Sequence, residues 1–217
     1  MKPTTSDPGP PRRSGRPLRP IATRTLLDIA ARVFAERGYD GASLSHIAEQ
    51  AGLRKASLYH HFPTKEALYE AVMRQLVGDL LRLIHEADLD TGDFATRLDR
   101  LGALVIDTFA ERPDAARLLV LEMVAGGRYM TGPGAAEVQG TFMVTAAFLA
   151  AGMAAGAFRE QDPRHLALTI AGLHLYPFAA AGVAGAFLGR GLLEPETIAE
   201  RKAAVLAHVR ALCLPGS

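Results

Sequence analysis

At 217 residues the chain is long enough to bury one large or two small cores. Its 24 basic and 23 acidic residues nearly cancel, and its one cysteine, Cys213, excludes an intrachain disulfide or a thiolate metal cluster. A reducing cytoplasm is the expected compartment, since the N-terminus lacks an apolar signal core.

The charge is unevenly placed. Residues 1–20 carry five basic side chains and one acid, residues 21–72 six of each, and residues 73–217 13 basic against 16 acidic. The first segment also holds six prolines, which predicts a disordered arm. Arg12, Arg13, Arg16 and Arg19 surround a Gly15-Arg16-Pro17 core resembling an AT-hook, although Ser14 stands where an arginine is usual. Such an arm either enters a narrow minor groove beside a reading helix or merely solubilises the chain.

A first helix follows, with Leu26, Ile29, Ala30, Val33 and Phe34 on one face and an end at Gly38. In the next stretch, Ser43 to Phe62, Leu44, Ile47, Ala48 and Ala51 form an i, i+3, i+4, i+7 face. Ser43 is placed to cap that helix, and Gly52 to end it in a left-handed turn. A second short helix keeps Leu58 and Phe62 inward and leaves Arg54, Lys55, Ser57, Tyr59, His60 and His61 as donors on its other positions. Two short helices with a tight turn, the second donor-rich, make a helix-turn-helix with a major-groove reader. The alternative is an ordinary solvated helical hairpin.

Thr64 is the expected cap of a fourth helix, along which Leu68, Val72, Leu76, Leu80 and Leu83 repeat. Further helices are expected over about Phe94–Phe109, from Pro113 to Gly126-Gly127, after Ala135, from Asp162-Pro163 to about Leu188, and from Glu194-Pro195 to near Leu212. No strand-like alternation or internal repeat appears, so the predicted class is all-α. Between Glu137 and Arg159, and between Arg164 and Arg190, no Asp, Glu, Lys or Arg occurs. Both runs are long enough to span a bilayer, but their Ala and Gly content and their flanks, without basic cluster or aromatic belt, fit a bundle core better.

The stretches LLDIAARVFAERGYDGASLSHIAEQAGL and KASLYHHFPTKEALYEAV resemble the DNA-binding domain of TetR-type transcriptional regulators. The match rests on Ala30, Phe34 and Gly38, on the Ile47-Ala48-x-x-Ala51-Gly52 turn, and on Leu58, Tyr59, Phe62 and Lys65 in register. After the disordered basic arm that composition gives for 1–20, the resemblance implies a three-helix DNA-binding domain over 21–72 and a helical effector-binding and dimerisation domain over 73–217. It places Lys55, Ala56 and His60 at base edges, with Ser45 able to reach the groove from the preceding helix. Ser43, Ser57, Tyr59, His61 and Lys65 fall at positions that hold the phosphate backbone. Arg54 departs from the family's usual Ser or Thr cap; its charge opposes the helix dipole, a sign that a nearby phosphate reverses.

No nucleophile elbow, glycine-rich phosphate loop or paired-acid motif stands out, and no His, Asp and Glu set has metal-ligand spacing, so neither an enzyme nor a metal or other cofactor is expected. Ala181, Gly185 and Gly189, with Val205, Val209 and Leu212 of the last helix, suggest a four-helix homodimer seam. Met123, Phe142, Met143, Phe148, Met153, His174 and Tyr176 are the candidate lining of an apolar effector pocket, each also compatible with plain core packing. The expectation is a cytoplasmic homodimeric repressor, released from a palindromic operator by an uncharged or weakly polar organic effector. A ligand-independent DNA-binding factor and a membrane-associated helical protein are the alternatives.

Overall fold

The computed structural model describes residues 22–87 and 90–215, so the arginine arm, with Arg12, Arg13, Arg16 and Arg19, lies outside the described residues. Among those described there are ten α-helices and no strand: α1 (Thr23–Gly41), α2 (Leu44–Gln50), α3 (Lys55–His61), α4 (Lys65–Glu86), α5 (Phe94–Glu111), α6 (Pro113–Val124), α7 (Ala135–Ala154), α8 (Pro163–Ala179), α9 (Ala181–Leu188) and α10 (Pro195–Cys213). Their starts follow local chemistry. Ser43, Thr64, Asp93 and Asp162 each accept a backbone N–H at a helix start, and Pro113, Pro163 and Pro195 sit in first turns, where a missing donor costs nothing.

Helices α1 to α3 form a compact head. Leu26, Ala30, Val33 and Phe34 of α1 bury against Leu44, Ile47 and Ala48 of α2, Leu58 of α3 and Leu68 and Val72 of α4. Gly38 leaves helical geometry at φ 70°, ψ 172° and turns the chain beneath Tyr39. The Tyr39 ring stacks over Phe34, and both meet Tyr69 of α4 edge-on. The boundary expected at residue 72 falls inside α4, so head and body share one continuous helix.

Two buried carboxylates tie that shared helix to its surroundings. Asp79 of α4 accepts from Arg24 of α1 (3.0 Å), Arg82 one turn on (2.6 Å) and Arg112 at the α5–α6 junction (2.7 Å). Burial raises its carboxyl, but the hydrogen bonds from Arg112 and Arg82 and the charge of Arg24 outweigh this and hold it below the ordinary 3.8. Arg112 also reaches Asp28 of α1 (2.8 Å). Glu122 of α6 accepts from the Tyr69 hydroxyl (2.6 Å) and from the backbone N–H groups of Tyr129 and Met130, which fixes the α6–α7 loop against α4.

The body departs from expectation at two places. The helix expected to continue to Leu188 breaks at Ala180, and α8 and α9 meet at 83°. Pro177 lacks the N–H that would bond the Leu173 carbonyl, and the chain leaves helical geometry three residues later. Leu173 accepts instead from the Arg201 guanidinium of α10 (3.3 Å). No single described helix is long and apolar enough to cross a membrane; α8 and α9 pass by length and composition only as that bent pair.

The second departure concerns the expected seam. Val205 and Val209 are buried within their own protomer, because α10 turns that row onto α5. A Cβ on Gly185 would stand 3.0 Å from the Arg190 carbonyl oxygen, so the following loop closes that side of α9. Gly189 is the left-handed cap of α9 (φ 72°), Ala181 packs against the core, and of the expected set Gly189 and Leu212 are exposed.

Candidate nucleic-acid interface

The reading unit is built by a turn that uses its backbone fully. Gly52 at φ +63° lets its own N–H bond the Glu49 carbonyl (3.0 Å) and the Leu53 N–H bond the Ala48 carbonyl (2.8 Å). This directs α3 away from α2 with Leu58, fully buried, as its one anchor. The other side chains of α3, and the serines at the start of α2, stay outside. Ser43, Ser45, Arg54, Lys55, Ala56, Ser57, Tyr59, His60 and His61 are all exposed. Exposure leaves each of them available to a molecule approaching the α2–α3 unit from outside.

Individual positions differ in what they can offer. The Ser43 hydroxyl accepts from the His46 N–H (3.2 Å), which leaves its own hydrogen free to donate. Arg54 occupies the N-cap of α3 without a side-chain cap bond, and its guanidinium has no described partner. Lys55 Nζ stands 5.5 Å from the Tyr59 ring centre, so the two form one cationic and aromatic edge. The rings of His60 and His61 lie edge-on, 5.8 Å apart.

Lys65 is a correction. It was expected to hold phosphate, but its ammonium donates to the carbonyls of Tyr39 (2.8 Å), Ala42 (3.2 Å) and Asp40 (3.4 Å) and lies 4.4 Å from the Tyr39 ring. Its three hydrogens are used in closing the α1–α2 corner.

A second feature lies in the body. An apolar cavity of about 160 Å³ is walled by α4 to α8. Of the expected lining, Met123, Phe142, Phe148 and His174 are on its wall. Met143 and Tyr176 point outward, 48% and 63% exposed, and Met153 packs elsewhere against the core. The physical reason is helical phase: Phe142 and Met143 are neighbours, so one facing inward puts the other about 100° around the helix. The wall's contributions from α4 (Val77, Leu80, Ile84) and α5 (Leu101, Gly102, Val105) were missed because they read as ordinary amphipathic core positions.

The comparisons agree with this geometry. Residues 26–72 match the family model for bacterial regulatory proteins of the tetR family, and residues 95–209 the tetracyclin repressor-like C-terminal domain. The second match alone covers more than half of the chain. The chain belongs to the TetR family. Being a TetR-family protein, it is a DNA-binding transcriptional regulator, in a family of regulators rather than enzymes. The HTH-type transcriptional regulator RutR of Escherichia coli is 30% identical over 147 residues, 68% of this chain and 69% of RutR. The transcriptional repressor KstR2 of Rhodococcus jostii is 37% identical over 95 residues, 44% of this chain and 45% of that protein. Among solved structures, ketosteroid transcriptional regulator KstR2 of Mycobacterium tuberculosis superposes with a TM-score of 0.71 at 22% identity, over 93% of this chain and 100% of that one. AibR in complex with isovaleryl coenzyme A and operator DNA superposes with a TM-score of 0.67 at 21% identity, over 86% and 96%.

Proposed function

We propose that this TetR-family regulator is a cytoplasmic homodimeric repressor that reads a palindromic operator through α3 and releases it when a small uncharged molecule enters the body. The observation that carries this reading is the outward face of α3, with Arg54, Lys55, Ala56, Ser57, Tyr59, His60 and His61 exposed around a single buried leucine. Lys55 donates to guanine O6 or N7, the Ala56 methyl meets a thymine methyl, and His60 and Ser45 complete the base contacts. Arg54, Ser43, Ser57, Tyr59 and His61 hold phosphates and set the register.

Pairing is assigned to the outer face of the last three helices. Leu168 and Tyr176 on α8, Val183 and Phe187 on α9, and Leu212 on α10 are exposed, Phe187 at 90%. Exposed apolar groups in that number favour an isologous contact with a second copy. Two-fold symmetry then sets two reading helices about one DNA turn apart. Repression is the simplest output, because a dimer seated in the groove excludes other proteins from the same site.

Release runs through α4. Its first turn adjoins the head, and Val77, Leu80 and Ile84 farther along it line the cavity. An effector that fits the cavity better when α4 is displaced shifts the population toward misplaced heads. Sedimentation of the wild type and of a Phe187→Glu variant tests the pairing. The expected outcome is a dimer that the variant converts to monomer with concurrent loss of operator affinity. A monomeric wild type that still binds a palindrome tightly contradicts it.

A further inference from the structure

The cavity's polar groups share one chemical property. His174 of α8 is 5% exposed, and its Nδ1 lies 2.8 Å from the Ile170 carbonyl oxygen. A carbonyl only accepts, so Nδ1 carries the hydrogen. Burial, together with the nearby Arg201 charge, lowers the imidazole pKa below 6.5 and keeps the ring neutral, despite the opposing Ile170 bond. Nε2 is therefore a lone-pair acceptor, and among the described residues it has no hydrogen-bond partner. It faces Gly102, another wall residue, at a point where a Cβ would come within 3.1 Å of it. Only glycine fits at that point, since Leu206 Cδ2 of α10 would stand 2.8 Å from the same Cβ.

The other polar groups of the wall behave alike. The Thr141 hydroxyl donates to the Glu137 carbonyl (3.0 Å) and the Thr145 hydroxyl to the Thr141 carbonyl (3.2 Å). Each hydroxyl has only one hydrogen, so toward the cavity both threonines offer lone pairs. Among the described residues no charged side chain lines the wall. A buried acceptor without a donor is costly, and a ligand that supplies the donor recovers that cost.

We propose that the effector is a compact neutral apolar molecule of the phenol or alcohol class, whose hydroxyl donates to His174 Nε2. This rests on the effector reading above and specifies its chemistry. Size points the same way: apolar cavities of about 150 Å³ take up molecules of benzene scale, and this one measures about 160 Å³. Esters, ethers and ketones of equal size lack the hydrogen that the wall requires, and carboxylates would bring a charge that nothing there balances.

The test uses two isomers, 4-methylphenol and anisole, which have the same atoms but differ in possessing a donor. Binding to the full-length protein is measured by calorimetry and ligand-observed NMR. The wild type is expected to prefer 4-methylphenol about tenfold, the discrimination of one buried hydrogen bond. His174→Leu, checked for fold by circular dichroism, is expected to bring the two within about threefold. Thr145→Val provides a second, shape-conserving variant and is expected to leave most of the preference in place. Equal affinities, a preference for anisole, or no binding of either isomer overturns the proposal. A phenol preference that survives His174→Leu in a folded variant overturns the role of Nε2. Operator release is read separately. A probe bound with the expected preference that leaves the DNA complex intact sustains the cavity chemistry and contradicts the effector reading instead.

Discussion

Arg54, Lys55 and Lys65 are three basic residues within twelve positions, and their surroundings give them different work. Arg54 occupies the N-cap position of α3, and its guanidinium has no partner among the described residues, so Arg54→Ala is expected to weaken binding to all sequences alike and to reduce the salt slope of log Kd by about one. Lys55 sits a residue farther along, facing base edges in the proposed complex. Lys55→Ala is expected to relax preference at one base pair by about 1–3 kcal/mol in a competition assay against mutated sites. Lys65 is committed to three carbonyls at the α1–α2 corner. Lys65→Met is expected to cost about 1–2 kcal/mol of stability in urea unfolding, with an unchanged salt slope; a reduced slope at unchanged stability contradicts the structural role. The lysine's assignment was not legible in the sequence, because its acceptors are backbone carbonyls 23 to 26 residues away. Spacing along a helix reports which face a side chain occupies, not which carbonyls a corner presents to it.

At the level of elements, α4 connects everything that the proposed switch needs. Asp79 anchors it to α1 through Arg24 and to the α5–α6 junction through Arg112, and Glu122 anchors it through Tyr69. Asp79→Asn is expected to destabilise the fold by about 1–3 kcal/mol, since it weakens charged hydrogen bonds whose arginines remain partly solvated. The pH dependence has a definite sign. The folded pKa lies below the ordinary 3.8, so the stabilisation is fully present above that value and is lost as pH falls through the folded pKa. The stability gap between wild type and variant should thus hold level from pH 7 to about 5 and close below about 4. A gap that instead closes between pH 6 and 7 contradicts the assignment. Helix ends, caps and turns were legible, because Ser43, Gly52, Thr64, Asp162 and the first-turn prolines act within a few residues of themselves. The break at Ala180 was not, as an uncharged run of Ala and Gly continues through it and only Pro177 marks the weak point. Neither Asp79 nor Glu122 was legible either, since the partners that fix them to other helices, Arg24 and Arg112 for Asp79 and Tyr69 for Glu122, lie 33 to 55 residues away.

For the whole molecule, the class and the reading head follow from local patterns, whereas pairing depends on how α8, α9 and α10 are rotated about their axes. Val205 and Val209 show this. They have the spacing of a seam, yet α10 turns them onto α5 and presents other residues outward. The cavity shows it again, since only helical phase separates Phe142 on its wall from Met143 on the surface. The central claim is that two copies, paired through that outer face, read sequence with α3. Selection from a random duplex library by the purified full-length protein tests it most directly. The account predicts enrichment of one palindrome with half-sites about one helical turn apart. Enrichment of an unpaired half-site, or of nothing, by a folded protein would contradict it.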